Sequence, residues 1–137
     1  MSARDGYDVL ILGFGIAGLA GALAAHELGL RPAVFEKAAK IGGGTVNSYG
    51  LMWVGQNHLA QAAGYADSRD ETTAYMRFLG GGSLDEERMQ SFVDRSPEAV
   101  QFFEACGVRF RIVRGVTDHY YGKVPARMRP GVPSKSS

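Results

Sequence analysis

The sequence predicts an α/β fold, and three observations in its first third carry that prediction. Val9-Leu10-Ile11-Leu12 is a short apolar run. Gly13-Phe14-Gly15-Ile16-Ala17-Gly18 comes directly after it and opens an Ala- and Leu-rich stretch that ends at Gly29. Pro32-Ala33-Val34-Phe35 is a second apolar run, closed by a single acid, Glu36. The order is strand, glycine turn, helix, strand, acid, which is the context that a dinucleotide-binding fingerprint requires. The predicted unit is a Rossmann-like βαβ, with a helical segment after it.

Each element has a physical reason. Tyr7 to Leu12 is expected as a buried strand. Gly13 permits the sharp strand-to-helix turn, Gly15 lets the backbone approach a pyrophosphate, and Gly18 lets the helix pack closely on the strand. A helix over Ile16 to Leu28 is next, kept slim by its alanines and given apolar contacts by Ile16, Leu19, Leu23 and Leu28. Its first turn, Ile16-Ala17-Gly18, aims unpaired N–H groups and the positive end of the dipole at an anion. Gly29 ends the helix, and Pro32 helps prevent its continuation. Ala33 to Glu36 is expected as a second strand parallel to the first. Glu36 lies 18 residues after Gly18, where an acid accepts hydrogen bonds from ribose hydroxyls and repels a 2′-phosphate. The alternative is a tight βαβ turn without a ligand.

The stretch after Glu36 decides between cofactors. A plain NAD domain usually continues with a further amphipathic helix and a third strand. Here the chain gives Ile41-Gly42-Gly43-Gly44-Thr45 and then Asn47-Ser48-Tyr49-Gly50. Glycines and small hydroxyls make poor helix and good contact surface for phosphate or a ribityl chain. A flexible surface loop is the other reading.

Beyond Gly55 the chain is mainly helical in pattern. A short helix is expected over Asn57 to Ala63, stopped by Gly64. Ser68 and Glu71 form a capping box for a helix to about Leu79, broken by Gly80-Gly81-Gly82. Ser83 and Glu86 predict a second capping box and a helix to Arg95. Ser96-Pro97 predicts the start of another, ending near Cys106-Gly107. Val108-Arg109-Phe110-Arg111-Ile112 alternates apolar and basic, as a half-buried strand does, with the arginines facing solvent. Pro125 to Ser137 reads as a disordered tail. The expected organisation is therefore 1–56 for the nucleotide-binding part, 57–113 for the helical segment and its strand, and 114–137 for an irregular tail.

Composition narrows the function classes. The chain has 137 residues, 19 of them glycine, and a formal net charge of +1, so electrostatics favour neither nucleic acid nor an anionic membrane. Its lone cysteine, Cys106, cannot form an internal disulfide and is read as a structural thiol. The run Val9 to Leu12 is far too short to span a bilayer. Asp5 and Asp8 precede it without a basic n-region, so a cytoplasmic protein is expected. His26, His58 and His119 are scattered, which gives no metal site. No Ser-His-Asp arrangement stands out. Trp53 is read as packing. Tyr120-Tyr121 admits either a pocket lining or exposed aromatics.

Taken together, these motifs resemble FAD-dependent oxidoreductases of the fumarate reductase/succinate dehydrogenase flavoprotein type, above all the 3-ketosteroid Δ1-dehydrogenase-like branch. The residues that carry the resemblance are Gly13-x-Gly15-x-x-Gly18, Glu36-Lys37, Gly42-Gly43-Gly44-Thr45, Ser48-Tyr49-Gly50 and Met52-Trp53-Val54, with Asn57-His58, Gly64, Asp67-Ser68 and Ala74-Tyr75 further on. The resemblance implies that Gly13, Gly15, Ile16, Ala17 and Gly18 meet the pyrophosphate of FAD. It implies that Glu36, with Lys37 beside it, holds the adenosine ribose. Gly43, Gly44, Thr45, Ser48, Gly50 and Leu51 would run along the ribityl chain and the isoalloxazine. Leu51 replaces a glycine common in the family. Members with covalent flavin carry a histidine aligned with Gly44, so the glycine implies non-covalent FAD. Tyr120 and Tyr121 fall near a substrate-side tyrosine of ketosteroid-type members.

The reaction that the resemblance implies is hydride transfer between flavin and a carbon–carbon bond next to a carbonyl, in a small fumarate- or ketosteroid-type substrate. Family members are several times longer, and their acid/base residues come from later parts of the chain. The catalytic residues are therefore expected beyond residue 137, with this stretch a fragment that is inactive alone. Its incomplete sheet is expected to expose apolar surface, lower stability and promote self-association. Two alternatives stand beside this reading: a non-catalytic nucleotide-binding partner module that takes the rest of its sheet from another chain, and an NAD-binding Rossmann domain.

Overall fold

The computed structural model describes residues 6–65 and 67–113. The chain divides into two compact units, Met1–Met52 and Trp53–Ser137. The expected tail and Tyr120-Tyr121 lie outside the described residues.

The first unit is a βαβ. Strand β1 (Val9–Leu12), helix α1 (Ile16–Glu27) and strand β2 (Pro32–Phe35) come in that order. The strands pair in parallel, Val9 opposite Pro32 through Leu12 opposite Phe35. β1 starts at Val9, later than expected, and just before it the Asp8 carboxylate accepts from Arg31 N at 2.8 Å and ties the strand entry to the loop before β2. Pro32 opens β2, a position that asks no ladder N–H of it. α1 ends in a Schellman motif. Gly29 takes φ +75°, its N–H reaches His26 O at 2.8 Å, and Leu30 N reaches Ala25 O at 3.0 Å.

Helix α1 covers only one face of the sheet. A Cβ added at Gly18 or Gly21 would meet the Ile11 side chain, so the helix lies over the Ile11 face. Side chains alternate along a strand, so Leu10, Leu12 and Phe35 fall on the other face. They are 65%, 86% and 53% exposed. This corrects the expectation of a buried β1, since two parallel strands with one helix leave half the sheet without a layer.

Among the described residues the second unit holds three helices. Asn57 caps α2 (His58–Ala62), its side chain accepting from Ala60 N. Helix α3 (Arg69–Gly80) opens with the expected capping box of Ser68 and Glu71, and ends with Gly81 in the left-handed region. Helix α4 runs Glu86–Ala105. Trp53 packs against Tyr75 and Phe92, with ring centroids 5.3 and 6.5 Å away. Met89, Val93 and Val100 of α4 and Thr72 and Tyr75 of α3 are buried. Arg69 of α3 forks onto Asp94 of α4, at 2.6 and 3.0 Å, and reaches Gln90 at 2.6 Å. Arg77 and Glu86 make a second bridge between the two helices.

Three expectations are corrected here. Asp85, not Ser83, caps α4 and accepts from Arg88 N at 3.0 Å, which places Glu86 and Glu87 in the first turn, where the dipole favours acids. Ser96-Pro97 does not start a new helix, because Pro97 lies inside α4. An interior proline costs about 3 kcal/mol. Burial of Val93 and Val100 on either side of it returns about 1.5–3 kcal/mol each. Residues Val108 to Ile112 form no strand, since the only sheet among the described residues is β1–β2 and an isolated segment has no ladder partner. Exposure alternates only from Arg109 to Ile112, with Arg109 and Arg111 outward, and Val108 is exposed as well.

Candidate cofactor site

The site is built where β1 ends. Gly13 takes φ +102°, which turns the chain sharply, and Gly13 N still donates to Phe35 O at 2.7 Å. A Cβ on Gly18 would sit 1.9 Å from Gly13 O, so only glycine allows α1 to pass this close to the turn. Gly15 is the N-cap of α1 and lies in extended backbone that any residue can adopt. A Cβ there would meet Thr45 Oγ1 at 3.7 Å and Gly42 O at 4.0 Å, both ordinary contacts. The packing of the turn therefore does not itself require glycine at position 15.

That cleft has a volume of about 400 Å³ and is lined by Leu12, Gly13, Phe14, Gly15, Glu36, Lys37 and Gly43. Helix α1 begins beside it with no acid in its first turn and no capping side chain on Gly15. Its positive end is thus available to an anion.

Glu36 also lines the cleft. Its Oε1 accepts from Ala38 N at 2.9 Å and its Oε2 from Phe14 N at 2.8 Å. These amides, Ala38 first, hold the carboxyl below its ordinary value, so it is an anion at neutral pH. Each carboxylate oxygen has a further lone pair for a hydroxyl donor.

The glycine-rich segment is a 3-10 turn over Gly43–Asn47, not an open loop, and its Gly43 lines the cleft. Gly42 N donates to Phe14 O at 3.0 Å, and Thr45 Oγ1 accepts from Ile16 N at 3.1 Å. A Cβ on Gly43 would meet Gly15 Cα at 3.4 Å, so this backbone lies against the glycine turn.

Among the sequence-predicted residues, Gly13, Gly15, Glu36, Lys37 and Gly43 share the cleft. Ile16, Ala17 and Gly18 form the first turn of α1. Thr45 reaches that turn directly. Ser48 is used inside the loop, its Oγ donating to Thr45 O at 2.8 Å. Gly44, Gly50 and Leu51 lie along the same loop and do not line the cleft. Leu12 and Phe14 are lining residues that the motif did not mark. The Thr45–Ile16 bond spans 29 residues and has no local sequence signal. The same is true of His58, whose Nε2 lies 2.9 Å from Glu104 Oε2 in the second unit. Among the described residues no group of three or more His, Cys, Asp or Glu could hold a metal, and no helix is long and apolar enough to cross a membrane.

These features define a dinucleotide-binding βαβ unit with a second glycine loop folded onto its phosphate turn. Comparison with known proteins specifies it further. The family model for the FAD binding domain matches residues 8–131. The chain is 34% identical over 115 residues to 3-oxosteroid 1-dehydrogenase of Mycolicibacterium smegmatis, covering 83% of this chain and 20% of that protein. It is 41% identical over 97 residues to 4-oxocyclohex-2-ene-1-carboxylate 5-dehydrogenase of Sinomonas cyclohexanicum, covering 71% and 16%. Among solved structures, 3-ketosteroid-Δ4-(5α)-dehydrogenase of Rhodococcus jostii RHA1, in complex with 4-androstene-3,17-dione, superposes with a TM-score of 0.68 at 29% identity, over 80% of this chain and 24% of that one. The chain therefore belongs to the FAD binding domain family, among ketosteroid dehydrogenase-like and fumarate reductase-type flavoproteins. It spans about one fifth of the length of the curated relatives it matches.

Proposed function

We propose that this chain forms the FAD-binding part of a flavin-dependent oxidoreductase acting on a carbon–carbon bond next to a carbonyl, with a cyclic ketone of the steroid or oxocyclohexane kind as substrate. The observation that carries the reading is the cradle itself: Gly13 and Gly15 lining the cleft together with Glu36, and α1 starting beside them with no acid in its first turn. The relatives' names supply the substrate class, since each of the two dehydrogenases is named for an oxo-substituted ring.

Each residue then has a role in binding. The N–H groups of Ala17 and Gly18 face the pyrophosphate with the helix dipole behind them, while that of Ile16 is already given to Thr45 Oγ1 at 3.1 Å. Gly13 and Gly15 let the backbone come within reach of it. Glu36 accepts from the adenosine ribose, and Lys37 flanks it. Gly43, Gly44, Ser48, Gly50 and Leu51 border the rest of the cofactor. Gly44 offers no nucleophile for a covalent link, so the flavin is held non-covalently. FAD, when bound, supplies the hydride transfer, and proteins of this kind contribute orientation and proton transfer.

The test is to load the purified chain with FAD, remove free flavin by gel filtration, precipitate with acid and measure flavin in both fractions. Retention on the column and complete release by acid are expected. Flavin left on the precipitated polypeptide contradicts non-covalent binding. Retention of NADH in place of FAD contradicts the flavin assignment.

A further inference from the structure

We propose that Thr45 is a positioning residue for the pyrophosphate, not a contact for the ribityl chain. Its hydroxyl fastens the glycine loop to α1 before any cofactor arrives and then donates its own hydrogen to a phosphate oxygen. The inference deepens the FAD-binding reading and rests on it.

Thr45 Oγ1 accepts from Ile16 N at 3.1 Å. The hydroxyl therefore takes one of the donors with which the start of α1 would hold an anion. A hydroxyl carries one hydrogen and two lone pairs, so accepting from Ile16 leaves the hydrogen to give. Among the described residues Thr45 Oγ1 donates to no partner. The same oxygen lies 3.7 Å from where a Cβ of Gly15 would be, on the side that this glycine leaves open. Thr45 thus exchanges a fixed amide donor for a rotatable hydroxyl donor at the same place.

The backbone around Thr45 is pinned from both directions. Thr45 N donates to Gly42 O at 3.2 Å, and Gly42 N donates to Phe14 O at 3.0 Å. Thr45 O accepts from Ser48 N at 3.1 Å and from Ser48 Oγ at 2.8 Å. The loop is therefore held by hydrogen bonds of its own chain, which lowers the ordering cost of binding. A donor aimed at a charged oxygen gains more than one aimed at a neutral group.

The experiment compares wild type with Thr45→Val and Thr45→Ser in the full 137-residue chain. Two quantities are read: hydrogen exchange of the Ile16 amide without cofactor, and the dissociation constant for FAD by flavin fluorescence. Thr45→Val should speed Ile16 exchange while the β1–β2 amides stay protected, and weaken FAD about tenfold, near 1.4 kcal/mol. Thr45→Ser should restore both. Unchanged FAD affinity in Thr45→Val overturns the proposal, and so does tighter binding, which would make the hydroxyl a competitor of the phosphate. A wild-type chain that ignores FAD overturns the underlying reading as well, and the two failures are thereby told apart. Should Thr45→Val fail to fold, Thr45→Ser binding FAD as weakly as Thr45→Ala overturns it equally.

Discussion

Glu36 Oε2 accepts the Phe14 amide at 2.8 Å, across 22 residues of sequence. The carboxylate that ends β2 is thereby a strut of the glycine turn as well as a candidate ribose acceptor. The Ala38 and Phe14 amides hold its folded pKa below the ordinary value of 4.5. A depressed folded pKa stabilises fully above the unfolded value, and the contribution is lost as pH falls through the lower folded one. We expect Glu36→Gln to melt below wild type at neutral pH, with the gap closing as pH drops below 4.5. A gap that is constant down to strong acid would remove the strut. Thermal melts of both chains across that range measure it.

Gly15 and Gly18 are expected to fail in different ways. A methyl on Gly18 meets the Gly13 carbonyl oxygen at 1.9 Å, which no side-chain motion relieves. Gly18→Ala should cost about 1–3 kcal/mol of stability by overpacking. A methyl on Gly15 finds only ordinary contacts, at 3.7 and 4.0 Å. Gly15→Ala should fold and melt like wild type. Parallel denaturant melts of the two variants decide the matter.

Leu10 is 65% exposed and lies on the uncovered face with Leu12 and Phe35. Contiguous apolar surface of this kind favours association. We propose that the wild-type chain self-associates through this face as its concentration rises. Leu10→Lys should shift it toward monomer, and Leu10 does not line the cleft. Light scattering over a concentration series reads the difference. A wild type that stays monomeric throughout would refute it.

Tyr49 takes φ +56° and is 94% exposed, so a bulky residue holds a left-handed backbone without burial in return. Such positions cost on the order of 1 kcal/mol or more. Tyr49→Gly should therefore raise stability by roughly 1 kcal/mol, less the extra entropy that glycine brings to the unfolded chain. A loss of stability would mean that the Tyr49 side chain has a packing role.

The βαβ is legible in the sequence because its signals are local. Val9 to Leu12, the three glycines and Glu36 each state their role within a few neighbours, and so do the Ser68–Glu71 capping box and the Gly29 stop. Sequence and structure part where the deciding interaction is tertiary. Pro97 reads as a helix start until burial of Val93 and Val100 carries α4 through it. Val108 to Ile112 has a strand's pattern but no neighbour to pair with. Ser83 has the spacing of a cap, yet Asp85 takes the position because two acids come directly after it. In the site, glycine spacing marks the turn between β1 and α1 where Gly13 and Gly15 line the cleft. Thr45 on Ile16, 29 residues away, depends on how the loop folds back, and spacing does not encode that.

The most direct measurement is an FAD titration of wild type beside Gly15→Ala, with folding of both checked by circular dichroism. If the glycine cradle holds the pyrophosphate, wild type binds FAD and the folded variant binds at least about tenfold more weakly, because the added methyl occupies the approach that a bare Cα leaves open. Equal affinity in the two chains would contradict it, and so would a wild type that binds NADH more tightly than FAD.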